Sequence, residues 1–90
     1  MSYAIAISPR AEEQLAAQPE PLRTFIAVSL QRLGRSPATF TRPSRSLTRG
    51  QVAEFRYEQA GAVLWVSIRF LYGQDEQTLH IEQISVEFGG

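Results

Sequence analysis

The sequence predicts an α+β fold in the order β-α-α-β-β-β. An N-terminal strand and a helical hairpin precede a three-stranded antiparallel meander, forming one twisted sheet with the helices on one face. Three observations carry this. Residues 62–72 alternate, with Leu64, Val66, Ile68 and Phe70 set against Val63, Trp65, Ser67 and Arg69, the side-chain period of a strand. Residues 52–59 do the same, with Ala53, Phe55 and Tyr57 against Val52, Glu54, Arg56 and Glu58. Between them and the N-terminus, Leu22, Phe25, Ile26, Ser29, Leu30 and Leu33 recur at helical spacing.

Taken in order, residues 2–8 set Tyr3, Ile5 and Ile7 against the small Ala4 and Ala6, a short strand. Ser8-Pro9 is a helix start, because Ser caps and Pro suits the first helical position. Glu12 and Glu13 then sit near the positive end of the helix dipole. This helix is expected to run to about residue 18, where Pro19 and Pro21 end it and open the next. The second helix spans 21–33, with Gly34 as the residue that closes it and Pro37 just beyond. Residues 35–50 read as one long irregular stretch, tethered to the core by Phe40 and Leu47.

The strand pairing follows from the faces, since a slip of one residue would turn every side chain over. A two-residue turn at Ala60-Gly61 puts Tyr57 opposite Leu64, Phe55 opposite Val66, Arg56 opposite Trp65 and Glu54 opposite Ser67. A turn at residues 73–76 puts Phe70 opposite Leu79, Ile68 opposite Ile81, Arg69 opposite His80 and Ser67 opposite Glu82. The last strand breaks phase: Leu79 and Ile81 are odd-numbered, whereas Ile84, Val86 and Phe88 are even. One extra residue at Glu82 or Gln83 restores a single apolar face, the mark of a β-bulge.

Composition bounds the rest. Ninety residues form one domain, 1–90, and 43 % hydrophobic content supports one modest core. The absence of cysteine excludes disulfides and cysteine-based metal sites. No apolar run approaches the roughly 20 residues that span a bilayer. No basic segment followed by an apolar one opens the chain, so a cytoplasmic location without membrane contact is expected. Net charge is zero but unevenly placed. Six arginines and no acid lie between residues 21 and 53, and six acids outnumber two arginines from Glu54 onward. All nine basic residues are Arg. Arg is the better bidentate partner for phosphate or carboxylate, although codon usage in a GC-rich genome explains the bias equally.

The order of elements and several stretches resemble the RelE/ParE superfamily of toxins from bacterial type II toxin–antitoxin systems. Y-A-I-A-I-S-P-R-A-E-E-Q-L over residues 3–15 looks like that family's opening strand and first helix. Residues 19–37 look like its second helix and exit. Phe55-Arg56-Tyr57, with residues 67–72 and 74–84, looks like its closing sheet. The resemblance implies a toxin neutralised by a cognate antitoxin, small, acidic and partly disordered until bound, in a hetero-oligomeric complex. One branch of the family cuts mRNA inside the ribosome and another poisons DNA gyrase.

The registers gather Glu54, Arg56, Trp65, Ser67, Arg69, His80 and Glu82 on the sheet face opposite the helices. Metal-independent RNA cleavage needs a base for the 2′-hydroxyl, an acid for the leaving oxygen and cationic stabilisation of the phosphate. Arg69 and Arg56 are assigned to the phosphate by the resemblance. His80, which titrates near neutral pH, and Glu54 or Glu82 are assigned to proton transfer by geometry. Trp65 offers a face for base stacking. The same residues also read as a solvated charge ladder, with Arg56 over Trp65 as a cross-strand cation–π pair. Arg32, Arg35, Arg42, Arg45 and Arg49 form a separate basic set suited to RNA phosphates or to an acidic antitoxin segment. They read equally as a solvated loop.

No metal or cofactor motif is present. The expectation is therefore a toxin that inhibits growth as a ribosome-dependent mRNA endonuclease (an mRNA interferase). The alternatives are a gyrase inhibitor and an inactive member that only binds its antitoxin.

Overall fold

Ser8 turns the chain out of its first strand. In the computed structural model, which describes residues 2–43 and 50–89, β1 (Ala4–Ile7) ends one residue before it. Ser8 then caps α1 (Pro9–Ala16), its hydroxyl accepting the Ala11 N–H at 3.1 Å. The predicted Pro at the helix start is there, and the helix ends two residues earlier than expected. A tighter bond from the Gln18 N–H to the Leu15 carbonyl closes it.

α2 (Glu20–Arg35) overruns its expected end. Gly34 does not close the helix in a left-handed turn; it is a buried residue within it. Its role is close approach. A Cβ at Gly34 would stand 3.1 Å from the Tyr3 carbonyl and 3.3 Å from Ile5 Cδ1, and the Tyr3 N–H donates to the Gly34 carbonyl at 2.7 Å. Helix propensity weighs against Gly here, but the contact with β1 requires the missing side chain.

The stretch read as irregular contains a helical turn, α3 (Pro37–Phe40), and a short strand, β2 (Thr41–Pro43). Phe40 does tether it, with its ring 5.2 Å from that of Phe55; Leu47 lies outside the described residues. The meander follows as β3 (Gln51–Gln59), β4 (Ala62–Tyr72) and β5 (Thr78–Phe88). Among the described residues the sheet has five strands in the order β1-β5-β4-β3-β2. It is mixed, because β1 runs parallel to β5, with Ile5 opposite Leu79 and Ile7 opposite Ile81. That pairing extends the apolar face across which α1 and α2 lie. Ile26, Leu33, Ile68, Phe70, Leu79 and Ile84 are all fully buried between the layers. Ser29, the one buried polar side chain among the described residues, donates to the Phe25 carbonyl at 2.8 Å, so its burial leaves no unmet hydrogen bond.

The β3–β4 register is the predicted one, pair for pair from Glu54↔Ser67 to Tyr57↔Leu64. Ala60 and Gly61 turn the hairpin with φ of 51° and 80°, the positive values that a two-residue hairpin turn demands. The β4–β5 register differs. Phe70 pairs with Ile81, Tyr72 with Leu79 and Arg69 with Gln83, not with Leu79, Gln77 and His80. The connection runs from Gly73 to Gln77, longer than expected. Asp75 organises it by accepting the N–H groups of Gln77 and Thr78 and the Thr78 hydroxyl at 2.9–3.1 Å. The bulge is where the phase break placed it. Arg69 pairs with Gln83 and the next residue, Phe70, with Ile81, leaving Glu82 as the extra residue.

Candidate functional site

Alternation places two sets of side chains on opposite sides of β3, β4 and β5. The apolar set meets the helices. The other faces away from them, and among the described residues no element covers it. At its centre is Arg69, half-buried. A Cβ on the buried Gly50 would lie 3.1 Å from Arg69 Cγ, so the stem of the arginine rests on bare backbone. Val52, Ser67, Gln83 and Ser85 surround it to form a pocket of about 80 Å³. Among the described residues Arg69 makes no ion pair, although a delocalised guanidinium with five donors is well suited to a bidentate anion. The two hydroxyls and one amide beside it add donors. The arrangement can hold one small oxoanion or carboxylate.

Glu54 is half-buried and faces Ser67. Since Val52 faces Arg69, Glu54 is a diagonal neighbour of Arg69 on the same face, within reach of a long side chain. Arg56 is opposite Trp65 in the ladder, but its guanidinium turns to Glu58 at 2.5 Å. Both partners are more than half exposed, so the pair adds little stability. Trp65 is 38 % exposed. Its indole lies against Gly89, where a Cβ would come within 2.6 Å of Cδ1 and Nε1, and the Gly89 N–H donates to the Val63 carbonyl at 2.8 Å. Part of the expected stacking surface is therefore taken by the chain's own C-terminal backbone.

His80 is not beside Arg69. It faces Leu71 on one side and Ala6 on the other. Its Nε2 would lie 3.0 Å from a Cβ on Gly73 and is thus held at the Asp75 loop. Hydrogen bonds from the Gln77 N–H and the Thr78 side chain hold the Asp75 carboxyl below the usual carboxylate range, and the nearby His80 adds to this. His80 and Glu82 line a different cleft, about 290 Å³, along β1 with Ala6, Ile7 and Ser8. The seven expected residues thus share one face but split into a central group around Arg69 and an edge group around His80.

The basic set is more dispersed. Arg32 stacks on the helix side of the sheet, its guanidinium carbon 5.0 Å from the Phe40 ring centre and 5.9 Å from that of Phe55. Arg35 lines a cleft of about 360 Å³ between α2 and β1, with Tyr3 and Gln31. Arg42 belongs to β2, opposite Val52, and Arg45 and Arg49 lie outside the described residues. No group of His, Asp or Glu among the described residues is arranged to hold a metal ion. None of the described helices is long and apolar enough to cross a membrane.

The sequence expectation missed Gln83, Ser85, Val52 and Gly50 around Arg69. The first two were within reach of it. Once the bulge is set at Glu82, Gln83 and Ser85 must leave the apolar face and join Arg69.

No family model matches the sequence, and no curated protein does. Among solved structures, a chain of the toxin–antitoxin complex RelBE2 from Mycobacterium tuberculosis is similar, with a TM-score of 0.75 at 15 % identity. The superposition covers 97 % of this chain and 100 % of that one. The expected likeness is borne out in the fold, which this chain shares with a chain of that toxin–antitoxin complex.

Proposed function

We propose that this chain is the toxin of a toxin–antitoxin pair, and that it acts in the cytoplasm by cutting mRNA on the ribosome through its uncovered sheet face. The observation that carries this reading is Arg69, half-buried on that face with no ion pair among the described residues and ringed by Ser67, Gln83 and Ser85. Whole-chain similarity in fold to a component of RelBE2 supports the toxin role and a cognate antitoxin as partner. In this reading Arg69 holds the scissile phosphate and stabilises charge as it grows in the transition state. Glu54, its diagonal neighbour, takes the proton of the 2′-hydroxyl. Arg56 and Trp65 contact the flanking RNA.

A second reading rests on the separation of His80 from Arg69. The described residues around Arg69 supply charge and hydrogen bonds, and the chain's one histidine is not among them. A protein that binds its target without cutting it, whether gyrase or only the antitoxin, needs no more than this.

Cell-free translation with the purified protein, followed by mapping of mRNA 5′ ends, separates the two. The nuclease produces new ends at fixed codon positions on translated message only. Arg69→Ala lowers that cleavage by about 100-fold or more, the usual loss on removing a group that stabilises developing charge. Intact message in the presence of active protein removes the nuclease reading, and a supercoiling assay then tests gyrase.

A further inference from the structure

The walls of the Arg69 pocket are fixed from the other side of the sheet. β1 ends opposite Ile81, and the Ser8 N–H continues the ladder by donating to the Ile81 carbonyl at 3.0 Å. Beyond that point, among the described residues, no strand lies on the β1 side of β5, and the bulge at Glu82 interrupts its pairing with β4. Backbone polar groups left without partners there would each cost stability. Two side chains take them up, that of the α1 cap and one from the second turn of the helix. The Ser8 hydroxyl donates to the Glu82 carbonyl at 3.1 Å. Gln14 reaches across 70 residues of sequence, its Oε1 accepting the Ile84 N–H at 2.7 Å. The first bond is made to the residue that switches the phase of β5, and the second lies two residues beyond it. Upstream of it odd-numbered residues enter the core, and downstream of it Gln83 and Ser85 stand on the uncovered face.

We infer that Gln14, assisted by Ser8, is a positioning residue for the Arg69 site. By holding the bulge, it keeps Gln83 opposite Arg69 and Ser85 beside it, although it lies on the helix side and bonds to the backbone of Ile84 between them. The inference rests on the reading of the Arg69 pocket as an oxoanion site, and is independent of whether RNA is cut there.

The test follows the Nε–Hε resonance of Arg69 by NMR while inorganic phosphate is added to the full-length protein and to Gln14→Leu and Gln14→Glu. Glu retains an oxygen acceptor at this position and Leu does not. In Gln14→Leu the apparent Kd is expected to rise about threefold to tenfold, the factor that corresponds to losing one buried hydrogen bond. Contacts between Gln83 and Arg69 should weaken with it, and Gln14→Glu should restore both. A purely structural role would lower thermal stability in Gln14→Leu and leave phosphate affinity and the Gln83 contacts as they were; that result overturns the inference. So does an Arg69 signal that does not respond to phosphate in the unaltered protein. If Gln14→Leu fails to fold, Ser8→Ala and Gln14→Glu carry the same measurement. Wild-type protein that is inert in translation, yet binds phosphate in a Gln14-dependent way, defeats the nuclease reading and leaves this inference standing.

Discussion

β4 has two neighbours in the meander, and they are built differently. Its ladder with β3 runs unbroken from Gln51↔Phe70 to Gln59↔Ala62 and closes in a two-residue turn. Its ladder with β5 is interrupted between Arg69 and Phe70 and closes in a longer loop organised by Asp75. Both ladders bury the same kind of apolar face. Only the interrupted one changes which residues of its outer strand reach the uncovered side. Regular pairing settles what is buried. The irregularity decides what stands next to Arg69, in keeping with the enrichment of bulges beside functional sites.

The largest expected effect comes from removing that irregularity. Deleting Glu82 makes Ile81 and Gln83 consecutive opposite Phe70 and Arg69, so β5 alternates regularly with Leu79, Ile81, Ile84 and Val86 still on the core face, but it removes the kink at which Ser8 and Gln14 bond to β5. Losing those two hydrogen bonds at about 0.5–1.5 kcal/mol each costs about 1–3 kcal/mol, a sizeable share of a small domain's stability. Urea denaturation followed by circular dichroism should show the loss, and an unchanged midpoint would mean that β5 does not depend on the bulge.

The regular hairpin should respond weakly and in the opposite direction. Ala60 holds a positive φ of 51°, which costs an L-residue about 1 kcal/mol or more. Ala60→Asn creates the Asn-Gly pair favoured in such turns and should gain about 0.5–1 kcal/mol in the same assay. A loss would show that the turn is not limited by backbone strain.

The smallest effect concerns acid. The Asp75 carboxyl titrates below its ordinary range in the folded chain, chiefly through the Gln77 N–H. Its contribution is therefore present above the unfolded value near about pH 4 and is lost as pH falls through the folded one. Asp75→Asn should flatten the fall in melting temperature between neutral and acid pH. The Ala60-Gly61 turn has no titratable group and should leave that slope untouched when mutated.

The same contrast explains what could be read in advance. Alternation and a Gly-containing two-residue turn are local signals, and they define the β3–β4 register residue by residue. The length of the β4–β5 loop depends on how Asp75 gathers backbone donors, which composition does not reveal, so the expected pairing came out two residues off before the bulge and three beyond it. A two-residue shift preserves faces. That is why the uncovered face has the expected members while Arg69 and His80 are apart. The parallel seat of β1 beside β5, and the use of Gly34 for close contact instead of closure, depend on packing between distant segments. Gln14 gave no signal of its own, because a polar side chain on a short helix is ordinarily solvated. Its meaning appears only with the bulge it serves.

Trp65 is the chain's one tryptophan, and it lies on the uncovered face at the C-terminal end of the sheet, not in the core. The protein therefore carries a built-in optical probe of the surface on which Arg69 lies. Its fluorescence will respond to whatever settles on that face and to release of the Gly89 backbone from the indole edge, and will be a poor gauge of core melting. Trp65 fluorescence and far-ultraviolet signals from this chain thus belong to different parts of the molecule.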